Sequence, residues 1–494
     1  MRRTGDPYET QVGRRDFLKA TTLAGVAAAL PTKNLTAQNA DVSMRTPPQG
    51  RRRKVLFISD STAAYEKLVE SIRAVKDFDF EVLPVQINYQ KPQEIPKAVQ
   101  SGNADILFMC LPRIGITSAH IAELLGEIDT PVILLPPNSD LIMIEADLAA
   151  TFRMRGVPAM LANSEAHALE LLKIAAIPRI LEGKRALVFG RPFESSSVPA
   201  RNLSEDYIYK RTGVRIAYRP IDELKPLLEG VDEASARREM ERWKREAAEI
   251  VEPADQAILD ASRLYVLLRS IVDRERLSAV SIDCLSFSFG RNPTLPYPCL
   301  AFTRLRDEGI TAACEADVCA MLTSMFLQEI SRKPSYFCNV SSVNARTSTT
   351  VLRHCVAPLR LMGFDAAQLP YKLRDYHGMG RGVVPEVDYP AGVEVTLGGF
   401  SKDLKSMSLW PGRIQVGIED RDRPSFPNMP SSKMRMFCSN RVEIKIKEVE
   451  RFLQNITGIH HVMIAGSPMD AIRAALLRMN VAVVGPVDSA APEI

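Results

Sequence analysis

From residue 54 onward, short apolar runs alternate with stretches of helical period, and this alternation leaves few architectures open to the chain. Strand-like runs stand at 54–59, 80–87, 104–111 and 131–135, with helical patterns at 65–75 and 165–181. Strands separated by helices pair in parallel and need cover on both faces. A second unit of the same kind opens at 185–190. The highly charged stretch 232–250 reads as an exposed helix with solvated charges. A long helix at 253–272, a buried strand at 277–284, a helix at 315–330 and a strand at 335–340 follow. After about residue 366 the texture changes: Gly, Pro and Asp punctuate short alternating runs at 393–397, 413–418 and 441–446. A helix (447–457), a strand (460–465), a helix (469–479) and a strand (481–484) close the chain. The expected fold class is therefore α/β: two Rossmann-like parallel-sheet domains, 54–182 and 183–365, followed by a β-rich C-terminal domain, 366–494. No GxGxxG fingerprint follows the strand at 185–190, so dinucleotide binding is not expected.

The N-terminus carries a second constraint. Arg14-Arg15-Asp16-Phe17-Leu18-Lys19 precedes an apolar stretch, 20–30, closed by Pro31. This is the layout of a twin-arginine export signal over residues 1–40. The apolar run is too short to span roughly 30 Å of hydrocarbon. That route carries proteins already folded, so the chain is expected to meet the twin-arginine translocation machinery and to work in the periplasm or outside the cell. Ala37 and Ala40 are candidate cleavage points. Residues 41–53 are polar and Pro-rich and read as a linker.

Charge excludes some partners. The formal net charge of the 494 residues is +4. Residues 1–40 hold six basic and three acidic side chains, leaving 57 basic against 56 acidic in the rest. Such a balance argues for neither nucleic acid nor an anionic membrane as partner. The dense patch Arg51-Arg52-Arg53-Lys54 fits a solvated linker. Eight cysteines without a CxxC pair are no disulfide scaffold, and most read as small apolar side chains.

Three patches place polar residues inside apolar segments. In Ala312-Ala313-Cys314-Glu315-Ala316-Asp317-Val318, a carboxylate at a first helical turn is favoured by the dipole by roughly 0.3–1 kcal/mol. Such a group serves either as a simple helix charge or as a metal ligand. In the second patch, Phe337-Cys338-Asn339-Val340 is followed by His354-Cys355, where His354 is either a hydrogen-bonded core residue or a ligand. In the third, His460-His461 opens an apolar strand. Adjacent strand residues face opposite ways, so only one of the pair can point into a given site. A Glu and two His around an oxygen-rich pocket suit Mn²⁺ or another divalent ion.

Taken together, the run Cys284, Pro298 to Phe302, Leu305 to Ile310, Ala313 to Val318, Leu322-Thr323, Lys333-Pro334, Phe337 and His354-Cys355 resembles the L-fucose/L-arabinose isomerase superfamily. Gly458 to Val462 resembles its C-terminal His-His strand. The similarity is best over about 260–360, looser before, and patchy from 390 to 466. It implies two Rossmann-like domains and a barrel-containing C-terminal domain. It also implies aldose–ketose interconversion through an enediol, with a divalent metal, usually Mn²⁺, and two carboxylates moving the proton between C1 and C2. Glu315 falls on the family's catalytic, metal-binding glutamate and His461 on its metal-ligand histidine. His354 falls near the extra histidine of the arabinose-type enzymes.

Asn339 stands where the family has an Asp or Glu. An amide coordinates weakly through oxygen and cannot act as a general base near pH 7. Asp317 is a nearby carboxylate, but two positions along a helix it would point about 200° away from Glu315. The expected site is thus catalytic Glu315 and Asn339, metal ligands Glu315, Asn339, His354 and His461, and substrate-binding His377, His460 and Asp317. Two functions follow: an isomerase of a pentose, hexose or deoxyhexose, or a catalytically impaired sugar-binding protein of the same fold. A homo-oligomer is expected.

Overall fold

The computed structural model describes residues 52–75, 78–87, 91, 94–111, 128, 130–137, 142–192, 204–288, 295–416, 438 and 440–486. The export signal and nearly all of the linker lie outside the described residues.

Five strands form the first sheet: β1 (Arg53–Ser59), β2 (Phe80–Gln86), β3 (Ile106–Cys110), β4 (Val132–Leu134) and β5 (Ala159–Leu161). They are all parallel, in the order β2-β1-β3-β4-β5. Period-2 alternation sends Val55 and Phe57 of β1 to one face, where they meet Leu68 and Ile72 of the helix Glu66–Arg73 and Leu172 of the helix Glu165–Ala176. Leu56 and Ile58 face the other way, onto Leu148 and Phe152 of the helix Met143–Met154. Both faces of the central strands β1, β3 and β4 are covered, which is why these strands read as continuous apolar runs, while the edge strand β2 is partly exposed. Each fully buried Val, Leu, Ile or Phe contributes about 1.5–3 kcal/mol.

The next strands are β6 (Arg185–Phe189), β7 (Arg215–Arg219), β8 (Glu249–Ile250), β9 (Ala279–Ile282) and β10 (Thr311–Ala313). All but β8 make a second parallel sheet, ordered β10-β9-β6-β7. The charged helix Glu233–Glu246 departs from the fully solvated reading. Ala236, Met240 and Trp243 are buried on one face, and Glu239 is buried with them. Glu239 accepts a hydrogen bond from Arg304 Nε at 2.9 Å, and that guanidinium lies 4.0 Å above the Trp243 ring.

The remaining strands are β11 (Tyr336–Asn344), β12 (Thr349–His354), β13 (Tyr371–Arg374), β14 (Val384–Val387), β15 (Glu394–Phe400), β16 (Ser406–Val416), β17 (Asn440–Ile446), β18 (His460–Ala465) and β19 (Ala482–Val484). Antiparallel pairings run β15-β18-β11-β12-β17-β16, and β16 pairs back onto β15. The six strands therefore close a ring around a core that includes Trp410, Met463 and Leu397. The Trp410 indole is satisfied by Ser408 Oγ at 2.7 Å. β19 adds to the outside of β16, while β14-β13-β8 forms a small separate sheet. Two ring strands, β11 and β12, come from before residue 365, so this module begins earlier in the chain than its 366–494 texture indicates. The fold is thus mixed α/β, two parallel sheets followed by an antiparallel barrel. No helix among the described residues is long and apolar enough to cross a membrane.

Candidate metal centre

The centre forms where the second parallel sheet meets the barrel. The segment after β10 was expected to be helical from residue 315. Instead, Cys314–Ala316 is one 3₁₀ turn, with Glu315 at φ 61°, ψ 17° and Ala316 at φ 53°, both left-handed. Non-glycine residues rarely adopt this conformation, and it costs on the order of 1–3 kcal/mol each where the surroundings impose it. The helix proper, Val318–Ser331, starts two residues on with Asp317 as its N-cap. Asp317 Oδ1 accepts from the Ala320 backbone N–H at 2.9 Å. Because the two carboxylates do not sit on one helix, the 200° separation expected between them does not apply.

The helix Val318–Ser331 packs on β18, which brings Asp317 to His460. Asp317 Oδ2 lies 2.9 Å from His460 Nδ1. On the other side of the same ring, His460 Nε2 is 3.3 Å from Glu315 Oε2. The second Glu315 oxygen, Oε1, is 3.6 Å from His354 Nε2 at the end of β12. One donor atom each from Glu315, His354 and His460 fit within 4.8 Å of one another. The Phe337 ring backs both imidazoles, with centroids 5.0 Å from His354 and 4.5 Å from His460. Arg306, fully buried, sits behind Phe337 and donates to the Ala312 and Val356 carbonyls at 2.7 and 3.3 Å.

Burial pulls the His460 imidazole down, but the bonds and charges of Asp317 and Glu315 outweigh it and raise it to about 9. For Glu315, burial favours the neutral acid. The polar contacts and charge of the two imidazoles, with Nε2 atoms 3.6 and 3.3 Å away, reverse this and hold its carboxyl far below the usual carboxylate range. The site thus keeps an ionised carboxylate in a half-buried position.

Glu315 and His354 meet as expected, but the second imidazole is His460, not His461. On β18, His460 shares a face with Val462 and Ile464, which pack toward the second parallel sheet. His461 shares the opposite face with Met463 and Ala465 of the barrel core. Its Nε2 lies 3.4 Å from Thr457 Oγ1, and its ring stands 6.0 Å from that of Phe452. Burial, helped by the His460 charge, lowers it to about 4, as suits a neutral core histidine. The histidine that joins Glu315 and His354 is therefore His460, where His461 was expected, and His461 lies on the opposite face of the strand.

Asn339 is the direct cross-strand neighbour of His460 in the β11–β18 register. Its Oδ1 is buried without a hydrogen-bond partner. An orphaned amide oxygen on the His460 face can ligate a cation or accept a hydrogen bond from a hydroxyl. Asp317 Oδ2 is engaged by the outer nitrogen of His460. His377 belongs elsewhere: its Nε2 lies 3.0 Å from Cys355 Sγ and 3.6 Å from Cys438 Sγ. The two thiols escaped the sequence reading, because 83 residues separate them; the only local signal was Cys355 following a candidate ligand.

One carboxylate and two imidazoles suit a divalent cation such as Mn²⁺, Fe²⁺ or Zn²⁺. Asp317–His460 supplies the outer carboxylate that usually fixes the tautomer and aim of a ligating histidine. Glu315, His354 and His460 would hold the ion, with Asn339 beside them.

No family model matches the chain, and no curated protein matches it. Among solved structures, it is similar at 11% identity to a sugar-binding protein of a sugar ABC transporter from Bacillus halodurans, over 60% of this chain and 91% of that one. The TM-score of that match is 0.14, too low to bear on fold or function.

Proposed function

We propose that this chain is a divalent-metal-dependent protein of the sugar isomerase type, acting on a pentose, hexose or deoxyhexose. The observation that carries the reading is the convergence of Glu315, His354 and His460 with Asp317 behind them. It is supported by the resemblance of the same residues to the L-fucose/L-arabinose isomerase superfamily. A bound Mn²⁺ would polarise the hydroxyl and carbonyl oxygens of a sugar. Glu315, ionised and half-buried, would be the carboxylate placed to receive a proton from carbon next to such a carbonyl, once a bound ion and substrate have replaced its two imidazole contacts. Asp317 keeps His460 aimed. Asn339 can accept or donate a hydrogen bond to a sugar hydroxyl, but it cannot move a proton.

Asn339 also favours a second reading, a binding protein that keeps the sugar pocket and has lost turnover. Exchange of the C2 proton of aldoses in D₂O tests both. One positioned acid/base group contributes about 10²–10⁴-fold, so the wild type should be slow and Asn339→Asp should raise exchange at least tenfold. A variant that binds Mn²⁺ but stays inert across a sugar panel would establish the binding reading. A chain that binds neither Mn²⁺ nor any aldose would overturn both. We further propose export in the folded state: Arg14→Lys with Arg15→Lys should leave folded protein in the cytoplasm, and normal arrival in the periplasm would refute it.

A further inference from the structure

We propose that Cys355, His377 and Cys438 form a second metal site, a thiolate–imidazole site for Zn²⁺ placed beside the oxygen-and-nitrogen centre. Donor atoms of the three residues fit within 4.8 Å of one another. Cys355 Sγ and Cys438 Sγ converge on the same nitrogen, His377 Nε2, at 3.0 and 3.6 Å. Zinc bonds of roughly 2.0–2.3 Å to nitrogen and sulfur, set tetrahedrally, place neighbouring donors about 3.5–3.8 Å apart. The observed spacing needs only small adjustment to reach that arrangement.

The surroundings hold the imidazole in place. His377 is left-handed at φ 56°, in a loop gripped by Asp375, whose carboxylate accepts from Gly378 N at 3.0 Å and Gly380 N at 2.6 Å. The Tyr376 ring stacks on the His377 ring at 4.1 Å and 23°. Tyr376 N in turn donates to the Arg381 carbonyl at 2.9 Å, closing the loop on itself. A redox disulfide between Cys355 and Cys438 would require none of this. A metal ligand requires it, since a site loose by an ångström loses its ion.

The donor chemistry differs from that of the neighbouring centre. Two thiolates and an imidazole are soft and select Zn²⁺, whereas a carboxylate, imidazoles and an amide oxygen accept harder ions such as Mn²⁺. His354 and Cys355 are consecutive, so a single strand end supplies one ligand to each site. On binding, each thiol gives up its proton to solvent as its sulfur–zinc bond forms. Three protein donors leave a fourth position for water or a substrate atom.

The test uses the full reduced chain, stripped with a chelator and titrated with Co²⁺ as a spectroscopic stand-in for Zn²⁺. Wild type should develop thiolate-to-cobalt charge-transfer absorption that Zn²⁺ abolishes. Cys355→Ser and Cys438→Ser should weaken this binding by more than about 100-fold, beyond the loss typical of outer partners alone. Glu315→Gln should retain it, which separates this site from the proposed isomerase centre. Because a buried Ser could unfold the chain, zinc K-edge absorption on wild type reads the ligands without a variant. Two sulfur neighbours are expected. A zinc shell of nitrogen and oxygen alone, or wild type that binds Co²⁺ without the thiolate band, would overturn the proposal. So would freshly isolated protein in which Cys355 and Cys438 are disulfide-linked and take up no metal after reduction.

Discussion

Asp317 does two jobs with its two oxygens, and substitutions can separate them. Oδ1 caps the helix Val318–Ser331, and Oδ2 orients His460. Asn caps a helix about as well as Asp, so Asp317→Asn should sacrifice only the dipole share of the cap, about 0.3–1 kcal/mol. The same change removes the carboxylate behind His460, and outer partners of ligating histidines are worth about 10–100-fold in metal affinity. That converts to about 1.4–2.7 kcal/mol of binding. Asp317→Ala should add the loss of the cap, about 1 kcal/mol of stability, with little further change in metal binding. Calorimetric titration with Mn²⁺ reads the first quantity, and urea denaturation of metal-free protein reads the second. If Asp317→Asn bound Mn²⁺ as wild type does, the carboxylate–imidazole pairing would be irrelevant to the ion. If Asn and Ala were equally stable, the cap argument would fail.

Other substitutions should separate core from site. His460→Leu should abolish Mn²⁺ binding, whereas His461→Leu should leave it within about twofold, as expected of a site that shares no partner with the ion; titration of both checks this. Arg304→Met takes from the buried Glu239 its hydrogen-bonded partner, leaving it with Arg242 at 3.9 Å, and should cost about 3 kcal/mol in urea denaturation. Arg242→Ala, exposed beside the same glutamate, should cost no more than about 1 kcal/mol. Burial raises the Asp307 carboxyl to about 7, despite hydrogen bonds from Leu359 and Arg360 N–H groups. Its folded value exceeds its unfolded one, so the native state binds more protons between about pH 4 and pH 7, and stability should fall with rising pH there. The full fall is roughly 4 kcal/mol, and Asp307→Asn should flatten that part of the stability–pH curve.

Much of the fold could be read from periodicity, because strands dry on both faces announce themselves. The runs at 54–59 and 185–190 became β1 and β6 almost residue for residue. The run at 335–340 extends to Asn344, and β12 was seen only as apolar residues around His354. Both strands pair with partners about 90–120 residues further on. Pairing at that range leaves no mark on local pattern, so the start of the barrel was not legible. At the site, the sequence pointed to Glu315 and His354. It placed Asp317 wrongly because the helix was started three residues early, through a left-handed turn that residue type alone does not betray. Glu239 read as one solvated charge among many, since its partner, Arg304, is 65 residues away.

The closed ring of β15, β18, β11, β12, β17 and β16 has a consequence for the twin histidines. A strand at an open edge can slip by one residue, and every such slip exchanges its two faces. For β18 that slip would hand the ion's place from His460 to His461, put Val462 where the His461 ring now meets Phe452, and take His460 away from Asp317 and Glu315. In a closed circuit no strand moves alone: sliding β18 breaks its ladders to both β11 and β15. Closure therefore acts as a phase lock. It turns an ambiguous dipeptide into a single answer, and the duplicate histidine offers no spare. Loss of His460 should not be rescued by its neighbour, however near it stands in sequence.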